Sequence, residues 1–221
     1  GIQKYIQKYA NSNADWEGLV EIFDKGTTLN MKKWSDVRVN QSGRALFTDH
    51  IEYGDAQTIK NFVLRQQAED GSPNVWPQIF EIGLVYPDTI KVIQVNVNSR
   101  ITEIKEAIGL QKPISVIYNY NGYGYGVFPI DPNNLDKTPE IKDEVARAYS
   151  YINAYENTLT GKITAVKAFD VFVKGIAVEQ NELIVKLLSN QLSSIFWDFL
   201  TIKQQVVAQA ELEQLLFNKL Q

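Results

Sequence analysis

Cysteine is absent from this 221-residue chain, and histidine and methionine each occur only once. Without cysteine the chain can form no disulfide, no thiolate nucleophile and no zinc–sulfur site. The one histidine, His50, stands beside Asp49, with Glu52 and Asp55 close by in sequence. A hydrolase centred on His50 is disfavoured, because adjacent residues of a strand point to opposite faces. We therefore predict that the chain is not an enzyme and uses no cofactor or metal ion.

Long apolar runs and an excess of positive charge are also missing. No stretch approaches the roughly 18 consecutive apolar residues that a membrane-spanning helix requires. The first ten residues include Lys4 and Lys8 and have no apolar centre, so they do not read as a signal peptide. The net charge is −4, which argues against a broad surface for neutralising phosphates. We expect no membrane span, and nucleic acid is not expected to be the main partner.

Glycine and tyrosine alternate in residues 122–126, but the segment is not a phosphate-binding loop. Such loops need a following helix, and residues 127–130 are strand-like. We predict a β-hairpin over residues 114–130 with Asn121-Gly122 as a type I′ turn. Its tyrosines would either pair across the strands or dock on another protein, and ligand stacking is a third alternative. The candidate interface residues are Tyr118, Tyr120, Tyr123 and Tyr125.

The last forty or so residues have a helical pattern. Apolar residues recur at steps of four and three, which is the heptad spacing of a helix that packs along one seam. We predict one long amphipathic helix over residues 181–220, whose seam packs either within the domain or against another subunit. The seam consists of Leu188, Leu192, Ile195, Phe199, Ile202 and Val206.

Other local signals predict helices over residues 2–23, with a break over residues 11–13 and a cap at either Asn13 or Asp15. Residues 101–110 read as a short helix. Thr138-Pro139 is typical of a helix start. The apolar, β-branched run at residues 163–173 predicts a strand.

Residues 50–97 resemble a LysM-type domain of the version found in tail and baseplate proteins of bacteriophages. The matching stretches are residues 51–59, 70–84 and 86–90. In the family a strand runs into Gly-Asp, here Gly54-Asp55, which opens a first helix. A second helix contains a tryptophan, here Trp76, and a loop with a proline, here Pro87, leads to the last strand.

The spacing of apolar residues predicts helices over residues 56–68 and 75–82, and alternation predicts a strand over residues 90–97. These elements match the βααβ unit that the resemblance implies. In the phage setting such a unit is a structural connector. In other settings it binds peptidoglycan in a groove, which gives the alternative function of a cell-wall glycan-binding module. Two of the family's groove-building features are changed, because Ile82 replaces an asparagine and a Pro-Gly-Gln turn is absent. The candidate groove residues are Gly54, Asp55, Ala56, Leu84, Val85 and Tyr86.

Together these patterns predict an α+β fold: a small LysM-like unit flanked by helices, a β-hairpin and a long C-terminal helix. We divide the chain into residues 1–30, 31–98, 99–135 and 136–221. The leading hypothesis is a structural subunit of a phage tail, baseplate or neck, or of a related injection machine. Such a subunit would be assembled in the bacterial host cytoplasm and located in the virion. Its partners would be other structural subunits, in a homo-oligomeric ring or a larger assembly.

Overall fold

The computed structural model describes residues 1–219, apart from the side chain of Glu211, and contains both helices and antiparallel sheets, which confirms the α+β class. The chain begins with helices α1 (Ile2–Tyr9), α2 (Trp16–Asp24) and α3 (Met31–Ser35), and α3 continues into a π-helical turn, Asp36–Asn40. Of the two predicted caps, Asp15 is the one present, because its carboxylate accepts a hydrogen bond from the Gly18 amide at 2.7 Å.

Six strands follow and form two three-stranded sheets. In chain order they are β1 (Ala45–Tyr53), β2 (Ile59–Ala68), β3 (Gln78–Val85), β4 (Ile90–Val97), β5 (Ile101–Glu103) and β6 (Ser115–Tyr118). The first sheet has the order β1-β2-β5, and the second has the order β4-β3-β6. All neighbouring strands are antiparallel, and the consecutive pairs β1-β2 and β3-β4 are hairpins with short connections.

The two sheets share one hydrophobic core. The rings of Phe47 and Phe128 stack with centroids 4.8 Å apart, and the edge of Phe80 meets Phe128 at 5.0 Å. Trp76 is also buried in this core. Phe47 comes from β1 and Phe80 from β3, so the aromatic cluster joins the two sheets through an apolar contact.

The helices expected from the LysM resemblance are not present. Residues 56–68 contain β2 and residues 75–82 contain most of β3, whereas the strand expected at residues 90–97 is confirmed as β4. The alternating positions Phe62, Leu64, Gln66 and Ala68 of β2 are buried. This period of two is that of a strand with one face against a core.

The C-terminal half is helical. After a 3₁₀ turn, Leu135–Glu140, it contains α4 (Glu144–Leu159), α5 (Ala165–Val178), α6 (Glu182–Ser194), a π-helical turn (Ile195–Phe199) and α7 (Ile202–Lys219). These elements enclose a second hydrophobic core.

Two predictions for this half were wrong. Residues 163–173 are mostly helix α5 and not a strand, because Ala168, Phe169 and Phe172 are buried at helical spacing and Thr164 caps the first turn. The helix start predicted at Thr138 lies in the 3₁₀ turn, and α4 is capped by Asp143 instead.

The predicted C-terminal helix is also interrupted. Leu200 has an extended backbone, with φ −85° and ψ 140°, and it separates the π-helical turn from α7. Leu200 is itself buried in the helical core, which anchors the interruption. Leu220, the last residue of the predicted helix, lies outside the described residues. The short helix predicted over residues 101–110 is strand β5 followed by a 3₁₀ turn, Lys105–Ala107.

Helix α4 joins the two cores. The amide of Phe128 donates to Oδ1 of Asn153 at 2.9 Å, and Nδ2 of Asn157 donates to the Phe128 carbonyl at 3.1 Å. Arg44, which directly precedes β1, pairs with both Glu69 and Glu156. The sheets and the helices are therefore held together by polar contacts at buried and half-buried positions.

Candidate functional site

The tyrosine-rich segment does not form the predicted hairpin. Strand β6 pairs with β3, and of the residues after it only Val127 makes a β-bridge, to Leu46 of β1. The ring of Tyr120 lies over Gly83 of β3, so close that an added Cβ at Gly83 would be 2.7 Å from it. The segment is thus packed on its own chain. Only Tyr123 and Tyr125 among the four tyrosines are exposed, at 78% and 52%.

Tyr118 has a structural role within the chain. Its side chain is 7% exposed, and its hydroxyl donates to the carboxylate of Asp49 at 2.8 Å. Burial, with the nearby charge of Asp49 as a second cause, raises the pKa of the Tyr118 hydroxyl well above its ordinary value. The hydroxyl therefore stays protonated and serves as a hydrogen-bond donor across the two sheets.

The space between the two sides of the candidate glycan groove is filled by the chain itself. Gly54, Asp55 and Ala56 lie in the turn between β1 and β2, and Tyr86 follows β3. Between them run residues 110–112. The Lys112 amide donates to the Gln57 carbonyl at 2.7 Å, and the Tyr86 hydroxyl donates to the Gln111 carbonyl at 2.8 Å.

The two sides of the candidate groove do not line one common site: Val85 and Tyr86 line a cleft against the helical half, whereas Gly54, Asp55 and Ala56 do not line it. Leu84 is fully buried in the sheet core, and Val85 is half-buried at the end of β3. The turn that was expected to open a helix at Gly54-Asp55 instead closes a strand connection, with the Gly54 amide donating to the Thr58 carbonyl. The six groove residues are therefore not assembled into the groove that the resemblance implies.

His50 lies in β1 with its ring exposed. Its Nε2 is 3.0 Å from Oε1 of Glu52, which shares its face of the strand, whereas Asp49 points to the other face and binds Tyr118. Of the three acidic neighbours considered for the hydrolase hypothesis, Glu52 therefore contacts His50, and Asp49 does not.

The predicted C-terminal seam is divided between core and surface. Leu188, Leu192 and Ile195 are no more than 2% exposed and belong to the helical core. Phe199, Ile202 and Val206 are exposed, at 43%, 78% and 69%. Phe199 belongs to the π-helical turn, which departs from the α-helical register of α6, and the interruption at Leu200 separates Ile202 and Val206 from that register.

Helix α7 exposes three large apolar side chains on the side that points away from the core, and the exposed Gln209 and Glu213 lie between two of them. An α-helix has 3.6 residues per turn, which places Ile202, Val206 and Phe217 within about 60° of one another around the helix axis. All three are more than half exposed. The opposite side of the helix packs on the helical core through Ala208, Leu212, Leu215 and Leu216. We call Ile202, Val206 and Phe217 the C-terminal apolar face.

Further large apolar side chains are exposed beside this face. Trp197 is 70% exposed in the π-helical turn that precedes α7, and Val207 is 83% exposed next to Val206. The sequence-based prediction did not include Val207 and Phe217, because it assigned the seam a single heptad register that ended at Val206. The signal for Phe217 was its spacing of eleven residues from Val206, which brings it back to the same side of a helix.

A cleft of about 710 Å³ lies where the second sheet meets the helices. Its walls include Tyr86, Val116, Ile130 and Ile141, with Asp131 at one side. In residues 1–219 no group of three or more histidine and acidic side chains is arranged to hold a metal ion. The cleft lining also contains several further charged side chains: Asp88, Lys137, Glu140, Lys142 and Asp143.

A scan against protein-family models and a search of curated proteins found no match to this sequence. Among the helices of residues 1–219, none is both long and apolar enough to cross a bilayer.

Proposed function

We propose that this chain is a structural subunit of a symmetric protein assembly and acts through protein–protein contacts. The observation that supports this most is the C-terminal apolar face. Large apolar residues scattered singly on a surface are ordinary, but several on one face of a terminal helix are typical of a contact site. Here one side of α7 secures the helix to the core, and the other offers Ile202, Val206 and Phe217 to a partner.

The assembly that we propose is a phage tail, baseplate or neck, or a related injection machine. This more specific assignment rests on the sequence resemblance of residues 50–97 alone. The structure adds no support to it, because the two helices of the LysM arrangement are strands here. The filled space between Gly54-Asp55 and Tyr86 favours a structural connector over a glycan-binding module.

The test is the mass of the purified chain in solution, measured by sedimentation over a concentration series. We expect wild type to associate beyond its 25.1 kDa chain mass. The variant Ile202→Lys/Val206→Lys places two charges on the C-terminal apolar face and should lower the mass of the oligomer. Both positions are exposed, so the variant should keep the fold, which circular dichroism would check.

A matched control is Ile2→Lys/Ile6→Lys on α1. These residues have the same spacing of four, and each is 62% exposed. The control should associate as wild type does. If Ile202→Lys/Val206→Lys keeps the wild-type mass, or if the control loses mass equally, the C-terminal apolar face is not the contact surface.

A further inference from the structure

Strand β4 forms an open edge of the second sheet. It pairs with β3 on one side, in an uninterrupted register from Val85↔Ile90 to Gln78↔Val97. On its other side no strand of residues 1–219 pairs with it. With eight residues, it is long enough to present a continuous row of unpaired backbone groups.

The other edge strands of the described chain are protected. Strands β5 and β6 have only three and four residues. Strand β1 has two carboxylates, Asp49 and Glu52, a register shift at its end and a bridge from Val127 at its start. Short length, charge, irregularity and cover are the means by which natural sheets avoid edge pairing. Strand β4 has none of these except the single charge of Lys91.

The hairpin hydrogen bonds show which residues of β4 face this edge. The Tyr86 amide donates to the Thr89 carbonyl at 2.8 Å, so Tyr86 and Thr89 form a hydrogen-bonded pair. Such pairs alternate along an antiparallel ladder, so the backbone groups of Lys91, Ile93, Val95 and Val97 point to β3. The backbone groups that point outward belong to Ile90, Val92, Gln94 and Asn96. No backbone or side-chain group of residues 1–219 bonds to them.

We propose that β4 is a self-association strand that pairs antiparallel with β4 of a second copy of this chain. One two-fold register uses all four outward residues: Ile90 opposite the partner's Asn96, and Val92 opposite the partner's Gln94. This register forms about eight backbone hydrogen bonds and places Ile93 of each copy beside the two-fold axis. It joins the two β4-β3-β6 sheets into one continuous sheet.

The register is also consistent with the side chains. Pairing of even-numbered with even-numbered residues keeps the buried side chains Ile93, Val95 and Val97 on the core face in both copies. The two Lys91 residues are offset by four residues, about 13 Å along the strands. This separation is larger than the Debye length of about 10 Å at 0.1 M salt, so the two charges repel each other only weakly. A second copy can therefore pair with this edge without bringing like charges together and without turning the buried side chains of β4 away from the core.

This inference uses a surface distinct from the C-terminal apolar face, and the two are tested separately. In the Ile202→Lys/Val206→Lys background only the β4 contact remains, so the chain should sediment at twice 25.1 kDa. Adding Val92→Lys and Gln94→Lys places like charges directly opposite each other and should reduce the mass to that of one chain. Adding Val92→Lys and Gln94→Glu instead places opposite charges in the same positions and should restore the doubled mass.

Crosslinking tests the register, since the chain has no cysteine of its own. The variant Val92→Cys/Gln94→Cys should form a covalent dimer on mild oxidation, because residues opposite each other in a hydrogen-bonded pair have Cα atoms about 5.5 Å apart. Lys91→Cys should not crosslink, because its copies are too far apart. A single-chain mass in the Ile202→Lys/Val206→Lys background, an unchanged doubled mass with Val92→Lys/Gln94→Lys, or no crosslink at residues 92 and 94 would overturn the proposal.

Discussion

The guanidinium of Arg147 binds the carboxylate of Glu179 at two points, with N–O distances of 2.7 and 3.0 Å. The side chains of this pair are only 11% and 4% exposed. The same carboxylate accepts hydrogen bonds from the amides of Gln180 and Asn181. The pair therefore connects α4 to the junction between α5 and α6, where the helical core turns.

Replacing Glu179 with Gln should destabilise the protein by about 3 kcal/mol, because the buried Arg147 charge then keeps only the exposed Glu144, 3.9 Å away, as a counter-charge. The free energy of unfolding from urea titrations measures this. A surface pair provides the control: Lys174→Gln, which removes a contact with the exposed carboxylate of Asp136, should cost less than about 1 kcal/mol. Equal losses of unfolding free energy in the two variants would show that the buried Arg147–Glu179 pair contributes no more to stability than the exposed pair does.

Stability should fall at acid pH because of the same carboxylate. Burial alone would raise the pKa of Glu179, but the bonds from Arg147 and the two amides outweigh it, and the pKa lies below its ordinary value of 4.5. Because the unfolded chain then binds the proton more readily, this stabilisation is present above pH 4.5 and is lost as the pH falls through the folded-state pKa. Glu179→Gln should show a shallower decline in unfolding free energy below pH 4.5 than wild type. Parallel declines would contradict the assignment.

Gly126 should tolerate no side chain. Its φ is +146°, and an added Cβ would be 2.4 Å from the Ala45 carbonyl oxygen, at the point where Val127 meets β1. We expect Gly126→Ala to cost more than Gly161→Ala, which has a positive φ of 76° but no atom within 4 Å of the added Cβ. The Gly161 variant should cost only the backbone penalty of about 1 kcal/mol. Thermal unfolding midpoints of the two variants make this comparison, and a smaller effect at Gly126 would be inconsistent with the close approach.

Two buried tyrosine hydroxyls should respond oppositely to removal. Tyr118→Phe loses the bond to Asp49 and should destabilise by about 1 to 2 kcal/mol. The Tyr151 hydroxyl is buried and has no hydrogen-bond partner within residues 1–219, so Tyr151→Phe should be neutral or stabilising by up to about 1 kcal/mol. Chemical denaturation of both variants gives the sign. A clear loss for Tyr151→Phe would indicate a hydrogen bond to a buried water molecule.

Two glutamines explain why β2 and β3 were mistaken for helices. Gln66 and Gln78 occupy buried alternating positions, where an apolar residue would have completed the pattern of a strand. Gln66 accepts from the Trp76 amide and donates to the Ser99 carbonyl, and Gln78 makes two such bonds with Tyr125. Each glutamine thus satisfies backbone groups distant in sequence. That role depends on the tertiary fold, and local periodicity does not report it.

Local signals were sufficient where the structure depends on local contacts. The cap at Asp15 was one of the two predicted, and the alternation in β4 was read correctly. The C-terminal seam failed for a different reason. Its heptad steps continue across Leu200, but a buried leucine can end one helix and begin another without glycine or proline. That break places the later seam residues, Ile202 and Val206, on the surface, and no residue type in the sequence predicts the break.

Phe128 has its ring in the sheet core and its backbone bound to α4 through Asn153 and Asn157. Pulling the helices away from the sheets would extract this ring from between Phe47 and Phe80 and leave buried amide groups without partners. Neither half can loosen without a loss in the other. The sheets and the helices should therefore melt as one cooperative unit, and a domain boundary drawn at residue 135 would not mark a point where the protein can be cut into independently stable pieces.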